Sequence, residues 1–101
     1  MAMSLVGSAS ALAQGTSTFA LANELGSVLG AEKGCGLKFN QDAIKAFIEA
    51  KVKADDMKFP SLLSTMSQGA AWRLGEMSES EKTAYCAQVG RVARTFKFVG
   101  N

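Results

Sequence analysis

A chain of 101 residues, 48% hydrophobic and 20% charged, has the balance of one globular domain and excludes disorder over its main body. Eleven Lys and Arg against nine Asp and Glu leave a formal charge of +2, too small to call for a polyanionic partner such as nucleic acid. The chain has no histidine, which removes the commonest general base, the Ser-His and Cys-His nucleophile systems and most zinc sites.

In chain order, residues 1–13, MAMSLVGSASALA, are small and apolar, carry no charge and end in Ala11-Leu12-Ala13 before Gln14. That is the A-x-A pattern of a secretory cleavage site, and the segment reads as the remnant of a signal peptide. A basic start is missing and the apolar core from Met1 to Val6 is short, so two readings stand: a start inside a longer signal, or a small-residue leader. Export to the periplasm or beyond is the expectation, with a cytoplasmic chain as the alternative if the leader is not a signal. Residues 14–18 are expected as a flexible leader and 19–98 as a single helical domain. No run reaches the ~18 to 20 apolar residues needed to cross a bilayer, so no membrane span is expected in the mature chain.

The hydroxyls of Gly15 to Thr18 suit the cap of a first helix, expected from Phe19 to about Lys33. Leu21, Leu25, Val28 and Leu29 form its stripe, and Ala22, Gly26 and Gly30 continue it as a strip of small residues. A glycine inside a helix costs roughly 1 kcal/mol relative to alanine, so Gly26 and Gly30 predict a close helix contact that compensates. Gly34-Cys35-Gly36 is expected to stop this helix. The second is signalled by Asn40 as cap, with Phe39 folding over Ile44, and by the stripe Ile44, Phe47, Ile48 and Val52.

Ala54 to Phe59 reads as an acidic turn, and Pro60 suits the first turn of a third helix carrying Leu62, Leu63, Met66, Ala70 and Leu74. Trp72 projects away from that stripe, with Ser61, Thr65 and Gln68; the expectation is that a neighbouring helix covers it, the alternative that it is an anchor for a partner. Gly75 to Met77 is a tight connection, so the third and fourth helices are expected to form an antiparallel hairpin. The fourth begins with the capping box Ser78/Glu81. At 100° per residue it places Tyr85, Cys86, Val89, Val92, Ala93 and Phe96 on one side. No strand-like alternation occurs, and the fold class is all-α, an irregular four-helix bundle.

Two cysteines in an oxidising compartment allow one intramolecular pairing, Cys35 to Cys86; the alternative is two reduced, buried thiols. No CxxC, P-loop or GxGxxG occurs. Asp55-Asp56 and Glu76, Glu79 and Glu81 lie at helix starts, where negative charge is favoured in any case. No catalytic residue, metal ligand or cofactor is therefore assigned. Arg91, Arg94 and Lys97 suit the negative end of the fourth helix without any partner. Met57, Met66 and Met77 are read first as gap-filling core, and Met66 and Met77 with Trp72 as the residues that would contact a protein partner.

Leu29 to Leu37, Ala54 to Pro60, and Lys82 to Cys86 with Arg91 to Arg94 resemble stretches of small exported two-cysteine helical proteins of Gram-negative bacteria. That resemblance covers most of Phe19 to Phe98 and implies a helical, exported chain but no activity. A looser likeness, of size and cysteine spacing alone, is to acid-stress periplasmic chaperones. The functional expectation is a non-catalytic periplasmic protein, protein-binding or stress-protective; the alternative is a small enzyme or ligand carrier with a cleft between helices.

Overall fold

The computed structural model describes residues 17–100, so the expected signal-peptide remnant at 1–13 and the first part of the leader lie outside the described residues. Four helices make up the described fold: α1 (Thr18–Leu29), α2 (Gln41–Lys51), α3 (Phe59–Gly75) and α4 (Glu79–Thr95), an all-α bundle. Three of them start on side-chain caps. Ser17 Oγ accepts from the Ala20 N–H at 3.1 Å and Asn40 Oδ1 from the Ala43 N–H at 3.0 Å. At α4 the capping box closes both ways, with Glu81 N–H donating to Ser78 Oγ at 3.2 Å and Ser78 N–H to Glu81 Oε1 at 2.9 Å. Helix α3 has no side-chain cap and instead carries Pro60 in its first turn, where a missing N–H costs nothing.

Among the described residues the closest helix packing joins α1 to α3, and it falls on the two glycines of α1. A β-carbon added to Gly26 would stand 2.6 Å from Met66 Cβ and 3.1 Å from the Ser67 nitrogen. One added to Gly30 would collide with the Ser67 carbonyl oxygen and lie 2.9 Å from Ala70 Cβ. The glycines thus bring two helix backbones together, the compensation that their helix-weakening effect required. The expected hairpin of α3 with α4 is corrected by the same packing: α1, not α4, runs closely along α3. Small residues on α1 allow that approach, and the chain diverges after Gly75 into α4.

Helix α1 also ends earlier than expected. Beyond Leu29 the chain tightens, with Ala31 N–H bonded to Val28 O and Glu32 N–H to Leu29 O, three residues back in each case. It closes at Gly36, whose φ of +68° puts it in the left-handed region. Leu37 N–H reaches Glu32 O at 2.8 Å and Gly36 N–H reaches Lys33 O at 3.1 Å, the paired bonds of a Schellman cap. Cys35 sits immediately before the left-handed residue and is joined to Cys86 on α4, with their Cα atoms 5.4 Å apart and a sequence separation of 51.

Leu25, Phe59 and Phe98 are the largest fully buried side chains, within a core that includes Ala22, Ala31, Phe39, Leu74, Val89 and Ala93. Phe59, which the sequence places in a turn, is the first residue of α3 and one of these core anchors. Helix α2 behaves differently. None of its residues is fully buried; Ile44, Phe47 and Ile48, with Val52 just beyond, pack against the core while remaining partly exposed. Phe47, in the second half of the helix, makes aromatic contacts, its ring centroid lying 4.8 Å from that of Phe96 and 5.8 Å from that of Phe98. At the helix start Asn40 N–H donates to Phe98 O at 2.6 Å.

Candidate functional site

The three residues expected to contact a partner do not form one surface. Met66 is partly buried, its β-carbon facing Gly26 across the α1–α3 contact, and Met77 is partly buried against the core. Trp72 is 69% exposed, which corrects the expectation that a neighbouring helix covers it. The reason is directional: α1 takes the face of α3 that carries Met66 and Ala70, and Trp72 lies on the far side among exposed Ser61, Thr65 and Gln68. That strip holds an indole, hydroxyls and an amide and no charge.

Two further large apolar side chains point outward, Met57 at 77% and Phe19 at 58% exposure. Met57 lies in the turn between α2 and α3, where no periodic pattern exists to signal exposure, whereas Phe19 sits off the α1 stripe by projection. Met57 borders a cleft of about 410 Å³ whose walls are Ile48, Val52, Ala54, Phe59 and Pro60, with Glu49, Lys53 and Asp56 at its polar margin. A second cleft, of about 400 Å³, opens beside it between the start of α1 and the end of α2. Its apolar floor is Leu21, Val52 and Phe59, and its ionisable lining is Lys51, Lys53 and Asp56. The two clefts share Val52, Lys53, Asp56 and Phe59. They lie where the end of α2 covers the core incompletely, Ile48 and Val52 remaining partly exposed.

Asp56 organises the ground between the clefts. One of its carboxylate oxygens accepts a hydrogen bond from the Thr18 hydroxyl, and the other accepts from the Lys58 N–H at 3.2 Å. The turn is thereby tied to the start of α1. Its neighbour Asp55 is exposed and lines neither cleft.

Other polar groups that reach inward are also engaged by the fold. Tyr85 donates from its hydroxyl to Ser27 O at 3.1 Å, and Glu32 accepts from the Phe39 N–H at 2.7 Å. Among the described residues no group of three or more His, Cys, Asp or Glu side chains is placed to hold a metal ion, and no helix is long and apolar enough to cross a membrane. Arg91, Arg94 and Lys97 are exposed at the end of α4; Arg94 and Lys97 border a polar depression of about 270 Å³ with Asn40, Val99 and Gly100. Compared with protein-family models, curated proteins and solved structures, the chain matches none.

Proposed function

We propose that this chain is a non-catalytic, disulfide-stapled helical protein of the periplasm that engages a protein partner through apolar surface in a stress-protective role. The observation that carries this reading is Trp72, a large aromatic side chain 69% exposed on an uncharged strip of a 17-residue helix. An exposed tryptophan on a rigid element offers a large apolar contact area with only two side-chain torsions to fix, the economy that makes such residues binding anchors. The cross-link from Cys35 to Cys86 supports the assignment to an oxidising compartment, where such bonds persist. The test is suppression of aggregation of a denatured client, at neutral and acidic pH, with the disulfide intact and reduced. Suppression that falls several-fold on Trp72→Ala is the expected result; no suppression in any of these conditions overturns the reading.

A second reading, a carrier of a small ligand, is favoured by the paired clefts at the α2–α3 corner. Each is of about 400 Å³, within the roughly 300–1,000 Å³ span of small-molecule sites, and both draw on the same apolar wall.

A further inference from the structure

The carrier reading leaves open what the corner would hold, and the lining of the two clefts differs in a way that selects among ligands. The cleft beside Met57 is walled by Ile48, Val52, Ala54, Phe59 and Pro60 and offers few polar groups. Its one carboxylate besides Asp56 is Glu49, which disfavours an anion there and leaves the apolar walls as the main attraction. The neighbouring cleft is lined by two lysines, Lys51 and Lys53, against a single acidic residue, Asp56. The Asp56 oxygens already accept from the Thr18 hydroxyl and the Lys58 N–H, so they are held by donors of the fold. Lys53 borders both clefts and stands where a polar head attached to an apolar tail would pass from one to the other.

We propose that the α2–α3 corner binds a single-chain amphiphilic anion of the fatty-acid type, its tail against Ile48, Val52, Met57 and Phe59 and its head group between Lys51 and Lys53. The proposal rests on the carrier reading and adds to it the sign of the head group and the nature of the tail. The charge pattern is the selecting feature: a neutral chain gains only from the apolar walls, and a small anion gains only from the lysines. Burying both in adjoining clefts requires one molecule that carries both. The position of Met57 fits this arrangement, since an unbranched, polarisable side chain at the rim adapts to tails of differing length.

The experiment titrates the full-length, oxidised chain with decanoate below its micelle concentration, in parallel with octanoate, decanol and acetate, and follows backbone amide resonances. Saturable shifts confined to residues 17–21 and 48–60 are expected with decanoate. Octanoate should bind on the order of tenfold more weakly for the loss of two buried methylenes. Decanol should bind at least several-fold more weakly than decanoate, and acetate not measurably. Lys51→Glu with Lys53→Glu should weaken decanoate at least tenfold while leaving decanol unchanged, and Met57→Asp should weaken both. All three positions are exposed, so these variants keep the core intact. Equal affinity for decanol and decanoate, or decanoate binding indifferent to the lysine substitutions, overturns the anionic ligand while the carrier reading stands. No saturable shift at the corner with any of the four probes overturns both. A corner occupied by a second copy of the chain, seen as concentration-dependent dimerisation that Met57→Asp abolishes, also overturns the proposal.

Discussion

Gly26 and Met66 face each other so closely that a β-carbon on the glycine would stand 2.6 Å from the β-carbon of the methionine. Real β-carbons do not approach to that distance, so the absence of a side chain at Gly26 sets the separation of α1 and α3. Gly26→Ala tests this directly. On helix propensity alone the change would stabilise the chain by about 1 kcal/mol. The collision is with a β-carbon and with backbone atoms of Met66 and Ser67, neither of which rotates away. The expected outcome is therefore a net destabilisation of about 1–3 kcal/mol, measured by urea unfolding, with the sign opposite to that of the propensity effect.

The Cys35–Cys86 bond closes a loop of 51 residues, for which the chain-entropy account gives ~4 kcal/mol of stabilisation through the unfolded state. Replacing both cysteines by serine should lower stability by about 2–4 kcal/mol. Because the effect lies in the unfolded ensemble, the reduced wild type should match the double variant in denaturant midpoint. A reduced protein as stable as the oxidised one would show that the bond is dispensable to the fold.

Helix identity was legible because its signals are local. Ser78/Glu81 and Asn40 announce their caps in the sequence, and the stripe through Val89 and Ala93 on α4 faces the core as the 3.6-residue period requires. Which helices pair was less legible. Gly26 and Gly30 predict a close neighbour without saying which, and the short 75–77 connection pointed to α4 as the partner of α3 when that partner is α1. Trp72 shows the same limit: projection placed it off the stripe, but its exposure depends on where α1 lies. The corner clefts had no sequence signature, since they join residues of α1, α2 and α3 and follow from the partial coverage of the core by α2.

Lys97 occupies a position that chemistry usually gives to glycine. Its φ is +66°, and around it Phe98 N–H bonds Ala93 O at 2.8 Å and Lys97 N–H bonds Arg94 O at 3.0 Å, a Schellman cap on α4. The equivalent residue at the end of the α1 segment is Gly36, with φ +68°. A side chain in the left-handed region costs on the order of 1 kcal/mol, whereas glycine adopts it freely. Lys97→Gly should therefore raise stability by about 0.5–1 kcal/mol, with thermal unfolding as the measurement. The loss of a positive charge near the negative end of the helix offsets a few tenths of that gain.

Tyr85 and Ser27 carry the one described side-chain hydrogen bond between α1 and α4, the tyrosine hydroxyl donating to the Ser27 carbonyl at 3.1 Å. Tyr85 is the chain neighbour of Cys86, so the polar and the covalent link leave α4 at adjacent positions. Tyr85→Phe keeps the ring packed and removes only the donor. Stability should fall by about 0.5–1.5 kcal/mol in the oxidised protein, the usual net worth of such a bond. The two links also make a sharper test together. In the Cys35→Ser, Cys86→Ser background the hydrogen bond and the packing of the core hold α4 against α1 without the covalent tie. If the disulfide helps to hold the tyrosine in place, the cost of Tyr85→Phe there should differ from its cost in the oxidised chain by more than ~0.5 kcal/mol, the limit within which independent sites add. A double-mutant cycle by equilibrium unfolding reads that difference, and strict additivity would show that the two links act on α4 separately.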